Sequence, residues 1–582
     1  MPTISVPQSL LKHLLERDGH PHDAAQINDQ LPLLGTDIDT CDDDTLNIEI
    51  FPDRPDLLSG ETLAFAMANF LHNAPAKTDM PTKPSGITVH VDPSLEHIRP
   101  VVHGAVVKGV LLPDDEEEID AFIKGLMDHQ EKLHFALGRG RQRVSIGVHD
   151  LDQLHPPFRV VSVTGDTSFI PLACEEPMTI DEILREHPKG IEYAHLLDGM
   201  EAYPLILDAQ DDVLSFPPII NGAHTTVTAN SRNFFIDVTG WDERACEASL
   251  MLICLQLMQR GGSVQSVELV TCTGEERTLP QGTGQQHAVP EQLVKSLLGR
   301  GFSDEELQEA INRMGGRFEG RQPAPKDAPA RSSKMAMADA GTSELIFTMP
   351  RWRFDLLHPV DIVEDLAIGH GYEDLGTDLP TAQLTAEPRP DHHLRRRLRD
   401  AMQGMGMMQI QSLTLSNETD QFDNMRWTAQ HDVTKITNPI TIDHTVLRQH
   451  LLPGLLRLLA SNRHHDLPQS VYELGTVVRN HANQQRLAFL TAERSGGFAA
   501  VRGRIQALCN DLGITDWEAQ PLEQDDGPWL AGRGAKLLVN GVWIGCFGEL
   551  DPAVSARFDL KVPLNGAELD VTALMDIIVD PV

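Results

Sequence analysis

The sequence predicts a multidomain α+β protein with mixed α/β segments, in which a small module of helices and strands is duplicated. Three observations lead to this class. The chain has 582 residues, enough for several domains. Segments rich in Pro, Gly, Ala, Ser and Thr interrupt it at 73–86, 320–344 and 376–390. We expect the first and third to be domain boundaries and the second to be a long loop within a domain.

The third observation is an internal repeat, visible in two pairs of stretches. "SVPQSLLKHLL" (5–15) resembles "AVPEQLVKSLL" (288–298). "PDRPDLLSGETLAFAM" (52–67) resembles "PRWRFDLLHPVDIVEDLAI" (350–368). Each copy has the pattern of a helix, a middle segment, a strand and a second helix.

The second pair of stretches aligns Arg54 with Arg353 and Asp56 with Asp355, each followed by Leu-Leu. By this alignment, Asp361, Glu364 and Asp365 of the second copy lie on extra residues that the first copy lacks. Because the first copy lacks those acids, the fold of the module does not require them. They are therefore candidates for a specific role.

Repeat and linkers together predict four domains. The two modules occupy 1–75 and 276–383. Strand-like runs such as "VVHGAVVKGVLL" alternate with helical ones between them, so 87–270 is predicted to be mixed α/β. Residues 391–582 form another mixed unit, with a basic helix at its start and a hairpin near its end that turns at Asn540-Gly541.

Composition excludes several classes of protein. The net charge is −37 and the pI about 4.9, so the overall field repels nucleic acid, and any RNA contact needs a local basic patch or a partner. Seven scattered cysteines without a C-x-x-C pair argue against a zinc site or a disulfide framework. No signal peptide is visible, and the most apolar helical stretch (249–258) is too short for a bilayer. We expect a cytoplasmic protein without membrane contact.

Four carboxylates crowd one short segment: Asp355, Asp361, Glu364 and Asp365. The last three have the spacing i, i+3 and i+4, which places them on one face of a helix. The spacing alone leaves two explanations open. Acids in the first turn complement the helix dipole, and Pro359 fits that position. Alternatively the carboxylates bind Mg²⁺, which prefers oxygen ligands.

Two polar stretches are further candidates. In "LGRGRQRVSIGVHD" (137–150), three arginines precede a strand that ends at His149-Asp150, and they either bind phosphate or lie in a solvated turn. In "SFPPIINGAHTTVTANSRNFFIDVTG" (215–240), Asn221 and Asp237 either line a polar pocket or belong to a surface hairpin.

Phosphate-binding and nucleophile motifs are absent. The chain contains neither G-x-x-x-x-G-K-[ST] nor G-x-G-x-x-G after a strand, and no serine elbow or H-E-x-x-H. We therefore predict that it carries no ATP site of its own.

Taken together, five stretches in this order resemble the phenylalanine–tRNA ligase β-subunit family, in its archaeal/eukaryotic form. They are "NIEIFPDRPDLLSGE", "GRGRQRVSIGVHDLDQLHPPF", the 215–240 stretch, "PRWRFDLLHPVDIVEDLAIGHGY" and "ITNPITIDHTVLRQHLLPGLL". The resemblance covers nearly the whole chain.

The resemblance implies an aminoacyl-tRNA ligase of two α and two β chains that attaches phenylalanine to tRNA(Phe) with ATP. The α chain would carry the active site. This chain would supply a degenerate class II synthetase-like domain at 391–582, an antiparallel sheet with helices. Its 87–270 domain would edit tRNA mischarged with tyrosine.

The family pattern P-x-R-x-D-[IL]-x₄-D-[IL]-x-E-[DE] is matched by Asp355, Asp361, Glu364 and Asp365, which implies that these four bind Mg²⁺ shared with the α chain. Editing residues are less sharply marked. Asn221 and Asp237 are carried over as the editing site, with His149 and Asp150 as neighbours.

Two other functions fit parts of the sequence. A free-standing deacylase of mischarged tRNA would use 87–270 and keep the remainder as scaffold. A non-catalytic scaffold protein would use the repeats to bind partners. The class II-like segment argues against the first, and the acidic cluster argues against the second.

Overall fold

The computed structural model describes residues 2–113, 115–323, 343–376, 386–523 and 527–578. The chain divides into two units, Met1–Leu379 and Pro380–Val582. Most of the predicted loop at 320–344 and of the predicted linker at 376–390 lies outside the described residues. Among the described residues, no helix combines the length and the apolar composition needed to cross a membrane.

The first module consists of three antiparallel strands with helices on one side. Its elements are β1 (Thr3–Pro7), α1 (Gln8–Arg17), α2 (Ala24–Gln30), β2 (Thr36–Cys41), β3 (Thr45–Ile50) and α3 (Gly60–His72). The strand order is β1-β3-β2. Strand β3 alternates buried Leu46, Ile48 and Ile50 with more exposed polar residues, as a sheet with one covered face requires.

The centre of the first unit is a large mixed sheet. Its elements are β4 (Lys83–Val91), β5 (Val101–Lys108), α4 (Glu116–Ala136), β6 (Val144–Asp150), β7 (Phe158–Val163), β8 (Ser168–Phe169), β9 (Met178–Thr179), α5 (Ile180–Glu186), α6 (Pro188–Tyr193), β10 (Tyr203–Leu207), β11 (Val213–Phe216), β12 (Ile220–Asn221), β13 (Phe234–Gly240), α7 (Glu243–Gln259), β14 (Ser263–Val270) and β15 (Glu276–Leu279). The order is β12-β11-β10-β7-β4-β14-β5-β13-β6, and β15 pairs with β14.

Helix α7 explains how this sheet is covered. Its middle, from Leu250 to Leu255, is fully enclosed, as expected for a helix that is apolar all round. Asp242 caps its N-terminus by accepting a hydrogen bond from Ala245 N at 2.8 Å. Strand β13 is buried along its whole length between β5 and β6, so the polar side chains on it lie inside the unit.

The second module repeats the first. Its elements are β16 (Gln285–Pro290), α8 (Glu291–Leu298), α9 (Asp304–Arg313), β17 (Arg317–Pro323), β18 (Ser343–Met349) and α10 (Pro359–His370), and the strand order is β16-β18-β17. In both copies the last strand is central and the last helix follows it. The predicted duplication is confirmed.

The second unit is a seven-stranded sheet, antiparallel except where β19 pairs with β22. Its elements are α11 (His392–Gly404), β19 (Met408–Gln409), β20 (Leu415–Ser416), β21 (Val446–Leu447), α12 (Leu452–Ser461), β22 (Gln469–Arg479), β23 (Ala482–Ala492), α13 (Phe498–Asp511), β24 (Trp517–Pro521), β25 (Trp529–Val539), β26 (Val542–Leu550), α14 (Pro552–Ser555), β27 (Leu564–Asp570) and α15 (Val571–Ile577). Asn540 and Gly541 both have positive φ and join β25 to β26, so the predicted hairpin is confirmed.

The sheet of the second unit has a different layer on each face. Tyr472, Phe489 and Phe547 belong to a core that includes residues of α11, α13 and α15. Residues of α12 pack in a separate core with Leu490 and Trp529. The predicted α+β class, with an antiparallel sheet and helices at the C-terminal end, is confirmed.

Candidate functional site

Each module contains a buried arginine–aspartate pair at the turn before its last helix, which we call the clasp. Arg54 donates from Nε and Nη2 to the two oxygens of Asp56, at 2.9 and 2.8 Å. Arg353 donates likewise to Asp355, at 2.9 and 2.6 Å. The Nη1 of each arginine donates to a main-chain carbonyl of its own module at 3.1 Å. The clasp therefore fixes the same turn in both copies.

The second clasp contains a third member. Asp365, 3% exposed, accepts two hydrogen bonds of 2.9 Å from Nη2 of Arg353. Burial raises the pKa of Asp365, and Asp355 adds to the effect, so that it reaches about 6 although Arg353 opposes it. Two carboxylates thus share one guanidinium in the second copy.

The other two acids of the cluster have different surroundings. Asp361 accepts hydrogen bonds from the main-chain N–H groups of Leu357 and His358, at 2.7 and 2.6 Å, so it stabilises the N-terminus of α10. Glu364 is exposed and forms no hydrogen bond or ion pair with the described residues. Within the part of the chain that the structure describes, no three His, Cys, Asp or Glu side chains are arranged to hold a metal ion.

The four acids therefore suit Mg²⁺ in donor chemistry but do not form a complete cage in this chain. Arg353 holds two of them, and main-chain N–H groups hold a third. Glu364 is the carboxylate left for a ligand.

The clasps also correct one expectation from the sequence. Helix α3 begins at Gly60 and α10 at Pro359, in each case four residues after the clasp aspartate. The acidic cluster therefore needs no extra residues. Thr62, Phe65 and Ala66 of the first copy occupy the positions of Asp361, Glu364 and Asp365.

A second polar group lies within the large sheet of the first unit. Nε2 of His149 on β6 is 2.6 Å from Oδ2 of Asp237 on β13. Nδ1 of His149 is 2.9 Å from Oγ1 of Thr225. The side chains of His149 and Asp237 are 0% and 4% exposed, so the pair is enclosed. The carboxylate fixes the orientation of the imidazole, and the pair can hold or transfer a proton.

Of the two glycines opposite Asp237, one makes room for this pair. In the sheet, Asp237 lies opposite Gly147 on β6 and Gly104 on β5. A Cβ at Gly147 would lie 2.0 Å from Oδ2 of Asp237 and 2.7 Å from Nε2 of His149. A Cβ at Gly104 would make only ordinary contacts, at 3.4 Å or more. Position 147 is therefore restricted to glycine by the Asp237–His149 pair.

A buried arginine lies close to the pair. Arg99 donates from Nε to Oγ1 of Thr239 at 2.8 Å, two residues beyond Asp237 on the same strand. Burial lowers the pKa of Arg99 to about 10, and Asp237 opposes that shift through its charge. Asp237 thus has a histidine in contact and a cation within electrostatic range.

Within the described residues, the side chains of the other two residues predicted for this site form no hydrogen bond to the pair. Asn221 ends β12, half-buried, and its side chain makes no hydrogen bond within the described residues. The turn that follows leads to Thr225, which donates to the carbonyl of Gly222 at 3.0 Å. Asp150 accepts from Ser231 at 2.6 Å and from Asp152 N at 3.0 Å. The structure thus joins His149 to Asp237 and gives Asp150 a separate structural role.

The structure bears on two alternatives that the sequence left open. The 215–240 stretch is not a surface hairpin, because β11 and β13 are buried in the large sheet. Arg141 is 7% exposed, donates to the carbonyl of Ile219 at 2.9 Å and pairs with Glu131, so protein groups rather than solvent surround it. Arg143 pairs with Asp242 at 2.6 Å, whereas Arg139 is exposed.

Three family models match successive parts of the chain. The B3/4 domain matches residues 116–260, the tRNA synthetase B5 domain 288–372, and the phenylalanyl tRNA synthetase beta chain CLM domain 375–571. The phenylalanine–tRNA ligase β subunit of Methanococcoides burtonii is 36% identical over 572 residues, which cover 98% of this chain and 100% of that protein.

The chain belongs to the phenylalanine–tRNA ligase β-subunit family. The β subunit of Archaeoglobus fulgidus is also 36% identical and matches 99% of both chains. A solved N-terminal fragment of the β subunit from Pyrococcus horikoshii is 30% identical, with a TM-score of 0.55, and it covers 64% of this chain and 100% of the fragment. The predicted family is confirmed.

Three residues around the His149–Asp237 pair cannot be predicted from the sequence of this β-subunit family member. They are Gly147, Thr225 and Arg99, whose importance depends on contacts with distant residues. The contact from His149 to Asp237 joins positions 88 residues apart, and that to Thr225 joins positions 76 apart. Only the isolated glycine within the strand pattern at 144–150 gives a signal, since such a glycine indicates a close approach.

Proposed function

We propose that this chain works with an α chain, two of each, as a phenylalanine–tRNA ligase that uses ATP to attach phenylalanine to tRNA(Phe) in the cytoplasm. The observation that supports the proposal most is the end-to-end similarity to curated β subunits, 36% identity over 98% of this chain. The proposal also divides the chain into four domains, at residues 1–75, 87–270, 276–383 and 391–582.

Purification with and without the α chain tests this proposal. Because the sequence lacks nucleotide-binding motifs, the pure chain should give no phenylalanine-dependent ATP–pyrophosphate exchange. The complex with the α chain should give exchange and aminoacylate tRNA(Phe). Exchange by the chain alone, or a chain that binds no α partner, would contradict the proposal.

A second part of the proposal assigns editing of Tyr-tRNA(Phe) to the His149–Asp237 pair, with Asn221 at its margin. Ester hydrolysis needs a positioned water and a group that takes its proton. A histidine oriented by a carboxylate supplies such a group, through the hydroxyl of Thr225 at its other ring nitrogen. A pocket that must hydrogen-bond the tyrosine hydroxyl would also discriminate strongly against phenylalanine.

Glycine variants test the site without touching its polar groups. Gly147→Ala should displace Asp237 and lower the rate of Tyr-tRNA(Phe) deacylation by about 100-fold, as in losses of general acid–base catalysis. Gly104→Ala, opposite the same residue on the other neighbouring strand, is the matched control and should keep deacylation. Phe-tRNA synthesis should persist in both variants. Equal deacylation by the two would show that the pair is structural.

Direct substitutions complete this test. Asp237→Asn and Asn221→Ala should lower deacylation, and Asp152→Asn, an exposed acid just after β6, should not. If Asp237→Asn deacylates as fast as the unchanged enzyme, the editing site lies elsewhere.

A third part of the proposal assigns Mg²⁺ to Asp355, Asp361, Glu364 and Asp365. Mg²⁺ usually keeps several waters and uses one or two carboxylates directly. Exposed Glu364 is available for direct contact, and the three partnered acids would act mainly through water and charge. The ion would neutralise the negative charge of these acids where they face the α chain. EDTA should then weaken association of the α and β chains, measured by analytical ultracentrifugation.

A further inference from the structure

A cavity of about 270 Å³ lies on the sheet of the second unit, on the face that also carries α12. Three of the six tryptophans of the chain line it: Trp427, Trp529 and Trp543. Arg479 and Arg486 on the β22–β23 hairpin, with Glu568 and Asp570 on β27, supply its charged groups. Neither the clasps nor the His149–Asp237 pair involves any of these residues.

Most polar atoms of the charged groups in the cavity are already paired within the protein. Arg486 donates to Asp570 at 3.1 Å and lies 3.8 Å from Glu568. Glu568 also contacts Nδ1 of His450 at 3.0 Å and accepts from the main-chain N–H groups that begin α12. Two arginines and two carboxylates balance in charge, so the cavity does not favour a strongly anionic ligand.

Two buried donors of the cavity have no partner among the described residues. Nε of Arg486 and Nε1 of Trp529 form no hydrogen bond within this part of the chain, although the two residues are only 8% and 6% exposed. A buried N–H without an acceptor is destabilising, and a ligand acceptor would relieve that cost. By contrast Trp543 already donates from Nε1 to the carbonyl of Gly545 at 2.9 Å.

The walls of the cavity favour a flat ligand. Trp427 stacks on His450 with ring centroids 3.9 Å apart, so an aromatic surface is already in place. Nucleobases stack favourably on aromatic side chains, whatever the base. The volume is slightly below the usual range of about 300–1,000 Å³ for small-molecule sites, which favours a small ligand.

We propose that this cavity binds a nucleobase without net charge, which stacks on the tryptophans and accepts hydrogen bonds from Arg486 and Trp529. The base could be that of a free nucleoside or an unpaired base of RNA, since the recognition chemistry is shared. The site needs no triphosphate and carries out no reaction.

Fluorine NMR of the full chain, labelled with 5-fluorotryptophan and purified without a partner, tests the proposal. Trp→Phe variants assign the six signals. Adenosine should shift the signals of Trp427, Trp529 and Trp543 in a saturable manner. The signal of Trp517, which packs in the other core of the unit, should not change. ATP should bind no more tightly than adenosine. A single-stranded trinucleotide that binds more tightly than adenosine would identify RNA as the source, and one that does not would identify a free nucleoside.

Two variants test whether the N–H donors of Arg486 and Trp529, rather than the fold of the cavity, support binding. Trp529→Phe keeps a ring but removes the N–H, and Arg486→Lys keeps the charge but removes Nε–H. Each should weaken adenosine binding about fivefold, the loss of one ordinary hydrogen bond, whereas Trp517→Phe should not. The proposal is overturned if no nucleoside shifts the three signals, if phenylalanine shifts them instead, if ATP binds far more tightly than adenosine, or if both donor variants bind like the unchanged chain.

Discussion

The two modules have the same topology and the same arginine–aspartate clasp, yet only the second surrounds its clasp with further acids. In the first copy Arg54 has one carboxylate, and Ala66 occupies the place of Asp365. In the second copy Arg353 has two carboxylates. The comparison separates what the module needs to fold, which both copies contain, from what only one copy contains.

The pKa values of one carboxylate in each clasp shift in opposite directions. Burial alone would raise the pKa of Asp56, but Arg54 outweighs it and leaves the pKa lowered. Burial and Asp355 together raise the pKa of Asp365 to about 6, against Arg353. The charged form of Asp56 therefore stabilises the fold, whereas the charged form of Asp365 opposes it. A carboxylate whose charged form is disfavoured by folding, and which the first copy lacks, fits a role outside folding.

The largest expected effect comes from removing the arginines. Arg54→Met leaves one buried carboxylate without its partner, and Arg353→Met leaves two. Loss of one partner of a buried ion pair costs about 3–5 kcal/mol, and we expect Arg353→Met at the upper end and Arg54→Met at the lower end. Urea unfolding of the two variants measures the difference. A larger loss of unfolding free energy in Arg54→Met than in Arg353→Met would contradict this comparison of the two clasps.

An intermediate effect distinguishes the aspartates. Asp56→Asn should lower the free energy of unfolding at pH 7 by about 2–3 kcal/mol, because it removes a net stabilising pair. Asp365→Asn should cost about 1 kcal/mol or less, because it removes the charge that opposes folding. Thermal unfolding of both variants in one buffer provides the test, and equal losses would contradict the assigned directions of the two pKa shifts.

The smallest effect is expected at Glu364. This side chain is exposed, so Glu364→Gln should change the free energy of unfolding by no more than about 0.5 kcal/mol. Its counterpart in the first copy, Phe65, packs edge-on against Trp352 with ring centroids 6.0 Å apart. Phe65→Ala should therefore be clearly more destabilising in the same assay. A marked loss in Glu364→Gln would mean that the acid supports the fold.

Much of the fold could be predicted because its signals are local. The Arg-x-Asp-Leu-Leu motif identified the duplicated module, and the hairpin at Asn540-Gly541 followed from turn chemistry. The alignment of the copies was correct at the arginines and aspartates. It was wrong about extra residues, since both last helices begin at the same distance from the clasp.

The candidate sites could be predicted only in part, because their contacts join distant strands. Spacing could not show that Arg353 lies between Asp355 and Asp365, or that Asp361 is occupied by main-chain N–H groups. It could not show that Arg141 is buried against Ile219, 78 residues away. The assignment of Mg²⁺ to the four acids and of editing to Asn221 and Asp237 stays a prediction.

The most direct test of a role outside folding is the affinity between the α chain and a double variant, Asp365→Asn with Glu364→Gln, measured in Mg²⁺ and in EDTA. Urea unfolding of the variant should stay within about 1 kcal/mol of the unchanged chain. We expect association in Mg²⁺ to be at least about tenfold weaker, equivalent to about 1.4 kcal/mol, and EDTA to cause no further loss. Unchanged association that keeps its sensitivity to EDTA would contradict the assignment of these acids to the α–β contact.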